Sequence, residues 1–425
     1  MSGVRSGFDQ TFRSLRIRNF RLFFLGQLVS LVGTWMQTVA LGWLVYTITK
    51  SPTQIGLVTA VQFMPVLFGS IHGGLIADRF DKRKVLLVTQ TGLALQAIVL
   101  AAVVIGGADR LGVLYVLAAV QGALATVDNP TRQAFLTELV GADELTNAIG
   151  LNSAMFNTAR IIGPAVGGLL IEAVGTSTCF ALNAASFLAV IAALVAMRPA
   201  ELLRGRPAAR AKGQLRAGIR YAWEEPTLRL VLAMIALIGT LAMNFLVVLP
   251  VLAKRVFHGN AGSYGLLSAA IGSGALIGAL YAATRSRPTK RLLGGAAFGF
   301  GVAMLLDAVA TSLAMELVTL ALTGAVSITF MAAANASLQL TSRPEMRGRV
   351  MSIYMLLFLG STPIGGPFIG WVSARFGARW SLVVGGGSCL VAAGGCLWAV
   401  RRERLAGGGR DRVVQADQLD AVSAA

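Results

Sequence analysis

Residues 73–84 read GGLIADRFDKRK and follow directly on a long apolar segment. The segment ends in two acids and four cations, at Asp78, Asp81, Arg79, Lys82, Arg83 and Lys84. A hydrophobic helix that runs into such a group of cations leaves the membrane on its cytoplasmic side. The small residues Gly73, Gly74 and Ala77 allow another helix to approach closely. The stretch therefore predicts the topology of one membrane helix, a tight helix contact and a charged element at the membrane edge.

The rest of the chain is as apolar as this segment. Of its 425 residues 55% are hydrophobic and 13% are charged, and the mean hydropathy is +0.70. A soluble globular protein is less apolar than this. Apolar runs of about 20 residues recur, each long enough to cross about 30 Å of hydrocarbon. Because the alternating ten-residue pattern of a membrane β-barrel is absent, the sequence predicts an all-α integral membrane protein.

Charge and turn clusters divide the apolar runs into twelve predicted helices. Their approximate ranges are 20–47, 53–77, 85–106, 112–132, 145–172, 177–197, 228–253, 262–283, 291–312, 315–340, 347–373 and 379–400. An even number of spans places both termini on one side of the membrane. Of the 37 cations, 30 lie on that side, six lie on the other and Arg160 lies inside a helix. This bias predicts a multi-pass inner-membrane protein with both termini in the cytoplasm.

The net charge of +18 is explained by this bias, so no nucleic-acid partner is expected. A connection rich in Arg and Pro divides the chain into six helices plus six. The predicted units are an N-terminal bundle with its lead-in at 1–197, the connection at 198–227, a C-terminal bundle at 228–400 and a cytoplasmic tail at 401–425. Within the connection, GQLRAGIRYAWEEP predicts a short amphipathic helix at the membrane surface.

The two halves are similar to each other in sequence. IGPAVGGLL at 162–170 aligns with GGPFIGWVS at 365–373, and QIGLVTA at 54–60 aligns with SYGLLSA at 263–269. The offsets of 203 and 209 residues are close, as expected for a duplicated six-helix unit with small insertions or deletions. Transporters commonly contain such repeats around a substrate site near the middle of the membrane.

The chain resembles the major facilitator superfamily. That family's first-half signature is Gly, three residues, Asp, Arg, one residue, Gly and then basic residues. Gly74, Asp78, Arg79 and the basic pair Lys82 and Arg83 fit it, although Asp81 occupies the position of the second Gly. The resemblance covers about residues 15–400 and implies twelve transmembrane helices in two pseudo-symmetric six-helix bundles.

A second segment narrows the resemblance. Residues 128–170 are similar to the drug and siderophore exporters of the superfamily, which include macrolide efflux and enterobactin export proteins. The core Gly163-Pro164-x-x-Gly167-Gly168 is similar to the antiporter motif of their fifth helix. It is expected to kink predicted helix 5 and to allow close packing, which a generic membrane-helix contact would also require.

The resemblance implies a conformational switch made of Gly74, Asp78, Arg79, Arg83 and Asp128. Asp78 would engage the N-terminus of predicted helix 11, where the helix dipole favours a carboxylate. Arg79 or Arg83 would pair with Asp128. Such contacts would join the halves while the outer side is open. The alternative is a set of topogenic charges solvated at the membrane edge.

The superfamily builds its cavity from helices 1, 4, 7 and 10. On predicted helix 1, Gln27, Ser30, Thr34, Gln37 and Thr38 form a polar stripe that should face water or substrate. Candidates on the other helices are Gln121, Met243, Asn244, Met331 and Asn335. Hydrogen bonds between helices would explain the same residues.

Three further charges lie in or near the apolar segments. Arg160 either binds an anionic substrate group or pairs with an acid. Asp307 and Glu316 are among the few carboxylates there, and Asp307 is expected near the outer surface.

The leading interpretation is a secondary active exporter of amphipathic organic solutes, drugs or siderophore-like metabolites, working as a monomer in the lipid bilayer. Proton antiport by alternating access is expected. However, Ala118 stands three residues before Gln121-Gly122, where many proton-coupled exporters carry Arg. No cofactor, metal site or catalytic residue is predicted, because Cys/His clusters and catalytic motifs are absent. A non-transporting sensor and a membrane-embedded enzyme are the alternatives.

Overall fold

The computed structural model describes residues 12–203, 214–284 and 289–423. At 70, 71, 142, 214–217 and 403–423 it describes the backbone alone. Within these ranges, twelve helices are long and apolar enough to cross a membrane, as predicted. The N-terminal six are α1 Arg18–Thr49, α2 Pro52–Arg79, α3 Lys82–Ile105, α4 Leu111–Gly141, α5 Asp143–Val174 and α6 Thr176–Ala196.

The predicted amphipathic helix of the connection is α7, Gln214–Glu224. The C-terminal spans are α8 Pro226–Val256, α9 Ala261–Ala283, α10 Lys290–Val309, α11 Leu313–Thr341, α12 Pro344–Phe376 and α13 Ala378–Ser423. Predicted helices 7–12 therefore correspond to α8–α13. The hydroxyl of Tyr221 on α7 accepts the backbone N–H of Arg343 at 3.2 Å, so α7 lies against the start of α12.

Glycines with positive φ lie between four pairs of spans, and Gly107, with φ 65°, is the one between α3 and α4. Gly141 has φ 72° between α4 and α5, Gly175 has φ 87° between α5 and α6, and Gly377 has φ 101° between α12 and α13. Only glycine adopts this backbone region without strain. Gly175 and Gly377 separate the fifth and sixth spans of their respective halves, in agreement with a duplicated unit.

The seventh span is broken, whereas the sequence predicts one continuous helix at 228–253. Its first part ends at Leu241, and a second helix begins at Phe245 and passes into a π-helical turn at Leu252–Val256. The Asn244 side chain donates to the Thr240 backbone oxygen at 2.7 Å and replaces the helical N–H donor at this position. Pro250, which has no N–H, removes a further helical hydrogen bond.

Buried apolar residues of both halves, such as Tyr46 of α1 and Leu249 of α8, belong to one continuous core. The cross-half contacts of helix backbones are made by α5 with α9 and by α2 with α12. The end of the bundle opposite the chain termini, where α1 passes into α2 and α5 into α6, is called the distal end below.

Candidate functional site

Helix backbones from the two halves touch at the distal end. A Cβ atom on Gly168 of α5 would lie 2.7 Å from the Ala261 backbone oxygen and from the Gly265 Cα of α9. On the other side, a Cβ on Gly56 of α2 would lie 2.2 Å from the Gly366 backbone oxygen of α12. Real Cβ atoms do not approach that closely, so both contacts require glycine.

Polar and aromatic side chains also join the two halves at the distal end. Arg255 Nη2 donates to the Lys50 backbone oxygen at 2.6 Å, and Asn260 donates to the Glu172 carboxylate. The rings of Trp43 and Tyr264 stack with centroids 6.3 Å apart. Each of these pairs joins an N-terminal residue to a C-terminal one. The distal end is therefore closed in this structure.

The antiporter-like motif lies at the centre of these contacts. A Cβ on Gly163 would lie 2.6 Å from the Trp35 Cβ, and one on Gly167 would lie 3.1 Å from the Met36 Cγ, both on α1. Gly168 faces α9 instead. The backbone around Pro164 keeps helical dihedral angles, since the non-helical residue within 111–174 is Gly141. The motif thus packs α5 against one helix of its own half and one of the other half.

The charged stretch 73–84 lies at the end of the bundle opposite to this closure. Gly74, Asp78 and Arg79 belong to the last two turns of α2, with Gly74 and Asp78 half-buried and Arg79 exposed. A Cβ on Gly73 would lie 2.1 Å from the Thr126 backbone oxygen of α4. The predicted tight helix contact is therefore made with α4.

Arg83 and Asp128 do not form the predicted switch pair in this structure. Arg83 Nε donates to the Leu194 backbone oxygen at 2.6 Å, because the last carbonyl groups of α6 lack helical partners. Asp128 is 3% exposed and accepts hydrogen bonds from Thr89 at 2.7 Å and Gln90 at 2.8 Å, both on α3. Its nearest cation is Arg132, at 3.6 Å. In this state, with the distal end closed, Arg83 is held by α6 and Asp128 by α3, and their expected pairing while the outer side is open stays a prediction.

Gln37 does not face a cavity, contrary to its predicted role. Asn183 of α6 donates to the Gln37 side-chain oxygen at 2.8 Å, and Gln37 donates to Gln96 of α3 at 3.2 Å. All three side chains are buried. The hydrogen-bonding alternative applies here, because three polar side chains in an apolar bundle satisfy one another.

Gln27 and Gln121 differ from Gln37. Both are buried, and the side-chain oxygen of each has no hydrogen-bond partner among the described residues. Thr34 and Thr38 donate to backbone oxygens one turn earlier in α1. Thr38 also lines a small pocket between the halves, together with Leu41, Gly42, Val45, Ile55, Val58, Thr59, Gln62 and Leu246.

Arg160 is half-buried on α5, with its guanidinium 6.0 Å from the centroid of the Trp35 ring. Trp35 in turn packs edge-on against Phe156, at 5.8 Å between centroids. Across the described ranges, no carboxylate forms an ion pair with Arg160. A cation beside two aromatic rings is suited to a planar anionic group.

The two asparagine candidates for the cavity make local contacts. Asn244 occupies the break in α8, and a Cβ on Gly365 of α12 would lie 2.9 Å from its side-chain nitrogen. Asn335 of α11 is half-buried and accepts a hydrogen bond from Gln339 at 2.6 Å. Neither contact brings these residues next to Arg160.

Sequence reasoning gave too little weight to Asp307 and Glu316. Asp307 lies in the last turn of α10, at the distal end where it was expected, but it is 1% exposed and packed within the C-terminal half, and Glu316 is 0% exposed. The available signal was two acids in apolar segments only nine residues apart.

Residues 9–407 match the family of transmembrane secretion effectors. The chain belongs to the major facilitator superfamily. It is 30% identical over 356 residues to the multidrug efflux pump Tap of Mycobacterium tuberculosis, covering 81% of this chain and 84% of that protein. It is 26% identical over 354 residues to the staphyloferrin A transporter of Staphylococcus aureus, covering 81% and 87%. The enterobactin exporter EntS of Escherichia coli is 27% identical over 369 residues, covering 84% and 85%.

A solved structure of the same superfamily fold agrees. A bacterial homologue of the human lysosomal transporter Spinster, in an inward-facing and unoccupied conformation, superposes with a TM-score of 0.74 at 15% identity, covering 91% of this chain and 97% of that one. The predicted superfamily, its exporter group and the twelve-helix fold are confirmed. The protein is a membrane transporter and not an enzyme.

Proposed function

We propose that this superfamily member exports amphipathic organic solutes of the drug or siderophore class from the cytoplasm. The observation that carries the proposal is its similarity, over four-fifths of its length, to a multidrug efflux pump and a siderophore transporter. The glycine-mediated contacts between the halves support transport by alternating access, because rigid bundles that meet at one end can separate there and meet at the other.

The orientation of this cycle follows from the charge distribution. With 30 of 37 cations on the side of the termini, that side is the cytoplasm and the closed distal end faces outward. The state proposed for this closed distal end is the inward-facing one, in which substrate enters from the cytoplasm. Closure of the inner side would bring 73–84 against the start of α12, and Asp78 would engage the N-terminus of that helix.

The candidate cavity residues support the proposed substrate class. Arg160 and Trp35 would hold an anionic or planar group of the substrate. Gln27 and Gln121 each retain a free carbonyl acceptor, and Thr34, Asn244 and Asn335 supply further polar groups. Such a mixed lining suits amphipathic molecules of varied shape better than one polar metabolite.

The driving ion is proposed to be the proton, although Ala118 excludes the arginine used by many relatives. In everted membrane vesicles, a fluorescent cationic dye and a carboxylated dye should accumulate when the lumen is acidic, and both should leak out when the gradient is collapsed. Vesicles without the protein give the background. Uptake that is unchanged by collapse of the pH gradient would refute proton antiport, and absence of uptake for every dye and siderophore tested would refute export.

A further inference from the structure

Two carboxylic acids lie buried where α10 passes into α11, apart from the contacts between the halves. Asp307 is in the last turn of α10 and Glu316 is in the first turn of α11. Asp307 Oδ2 accepts the Thr323 hydroxyl at 2.7 Å. The other three oxygens of the pair, Asp307 Oδ1 and both oxygens of Glu316, have no hydrogen-bond partner in the described part of the chain.

Of the groups around the pair, Thr319 also interacts with the Asp307 carboxylate, but in the described part of the chain no group within hydrogen-bond distance donates to Asp307 Oδ1 or to either oxygen of Glu316. The Thr319 hydroxyl donates to the backbone oxygens of Met315 and Glu316. Arg379, at the start of α13, donates from Nη2 to the Ala310 backbone oxygen at 2.7 Å, and its charge acts on Glu316.

Two ionised carboxylates are unfavourable in this environment. A buried charge without donors loses its hydration, and each acid destabilises the charged form of the other. A proton on Glu316 removes one charge and converts an acceptor oxygen into a donor. One carboxylate and one carboxylic acid then remain inside, and the charge of the carboxylate is offset by the guanidinium of Arg379, whose residue is exposed at the edge of the site.

A metal cation fits the same residues poorly. It would add charge next to Arg379, and hard cations require six or more oxygen ligands. The Ala310 oxygen already accepts from Arg379, and the described residues contain no group of three or more acids, histidines or cysteines that could hold a metal ion.

We propose that Asp307 and Glu316 together bind one proton and that this proton is exchanged for substrate, a role that rests on the antiport proposed above. Ionisable groups inside the membrane are characteristic of proton paths in transporters. The pair lies at the distal end, which faces the proton source in the proposed orientation. Helix α11 carries both Glu316 and Asn335, which are about 28 Å apart by helical rise. The helix therefore connects the acid pair to a candidate cavity residue.

Infrared difference spectroscopy of the purified full-length protein tests the proton site without transport. At neutral pH the wild type should show the carbonyl stretch of a buried protonated carboxyl group, shifted in D₂O. Glu316→Gln and Asp307→Asn should each lose the band, because the remaining acid is balanced by Arg379. Arg379→Gln, which removes neither acid, should keep it, as should Asp109→Asn in the loop before α4 at the same end of the bundle. If the band is absent in the wild type, or if it persists in both acid variants, the proposed proton site is refuted.

Proteoliposomes test the coupling role. The Glu316→Gln variant should still carry ethidium down the ethidium gradient. Its accumulation of ethidium in response to a pH gradient should be at least about ten-fold lower than that of the wild type. Asp307→Asn provides the same test if Glu316→Gln does not fold. If a pH gradient drives ethidium accumulation equally well in the wild type and in both variants, the coupling role is refuted and the proposed function stands. If a pH gradient does not change ethidium accumulation by the wild type, proton antiport itself is refuted. The infrared result alone then decides whether the pair binds a proton.

Discussion

Gly168 of α5 and Gly265 of α9 meet across the boundary between the two halves, so that a Cβ on Gly168 would lie 2.7 Å from the Gly265 Cα. The corresponding contact on the other side joins Gly56 of α2 to Gly366 of α12. Neither contact has an aliphatic side chain between the backbones. The distal end can therefore close tightly, and a single added side chain should keep it open.

The first prediction concerns this closure. Gly168→Leu should reduce transport at least about ten-fold, because overpacking at a backbone contact costs about 1–3 kcal/mol and here opposes one conformational state. Gly150→Leu is the matched control, since a Cβ at Gly150 of α5 meets nothing within 4 Å. The measurement is dye transport together with labelling of Tyr264→Cys by a membrane-impermeant maleimide. Labelling that does not increase in Gly168→Leu would contradict the prediction.

The second prediction concerns Asp78. Asp78→Asn should abolish dye accumulation, because the proposed contact with the N-terminus of α12 requires the negative charge of the carboxylate when the inner side closes. Asp81→Asn is the control: Asp81 accepts the Lys84 backbone N–H at 3.2 Å as a helix cap, and Asn caps helices almost as well. Full transport by Asp78→Asn would exclude the proposed switch.

The third prediction separates substrates by charge. Arg160→Gln should weaken binding of a carboxylated dye by about 10–100-fold, as expected for loss of a charge-assisted contact of about 1.5–3 kcal/mol. Binding of a cationic dye should change little. Arg160→Lys should restore part of the affinity for the anionic dye, because it keeps the charge but not the planar group. Fluorescence titration of purified protein measures both dyes, and equal losses for the two would exclude an anion-binding role.

The fourth prediction tests the corrected role of Gln37. Gln37→Leu should lower the stability of the folded protein by about 1 kcal/mol, because Asn183 and Gln96 lose a buried partner. Dye affinity should stay unchanged. The double variant Gln37→Leu/Asn183→Leu should be less destabilised than the sum of the single variants, since the two residues share one hydrogen bond. Thermal unfolding in detergent gives the stabilities, and additive losses would show that the network is not coupled.

Sequence reasoning succeeded where a property depends on one segment at a time. The twelve spans follow from apolar runs long enough for the hydrocarbon layer, and the exporter group follows from the motif at 163–168. It failed where partners come from distant segments. The cavity role predicted for Gln37 and the burial of Asp307 both depended on which side chains would lie opposite, and no local pattern contains that information.

The sequence by itself determined the class, the number of spans, the duplicated halves and the close-packing role of glycines such as Gly168, because helix length and residue size act locally. Tertiary structure alone decided which glycine meets which helix, that Arg83 binds the end of α6, and that Arg160 lies over Trp35 with no ion pair to an acid among the described residues. It also decided that Asp307 and Glu316 are buried together. The physical reason is that burial and hydrogen-bond satisfaction are properties of packed neighbours, and the neighbours of α5, α10 and α11 are set by the assembled bundle.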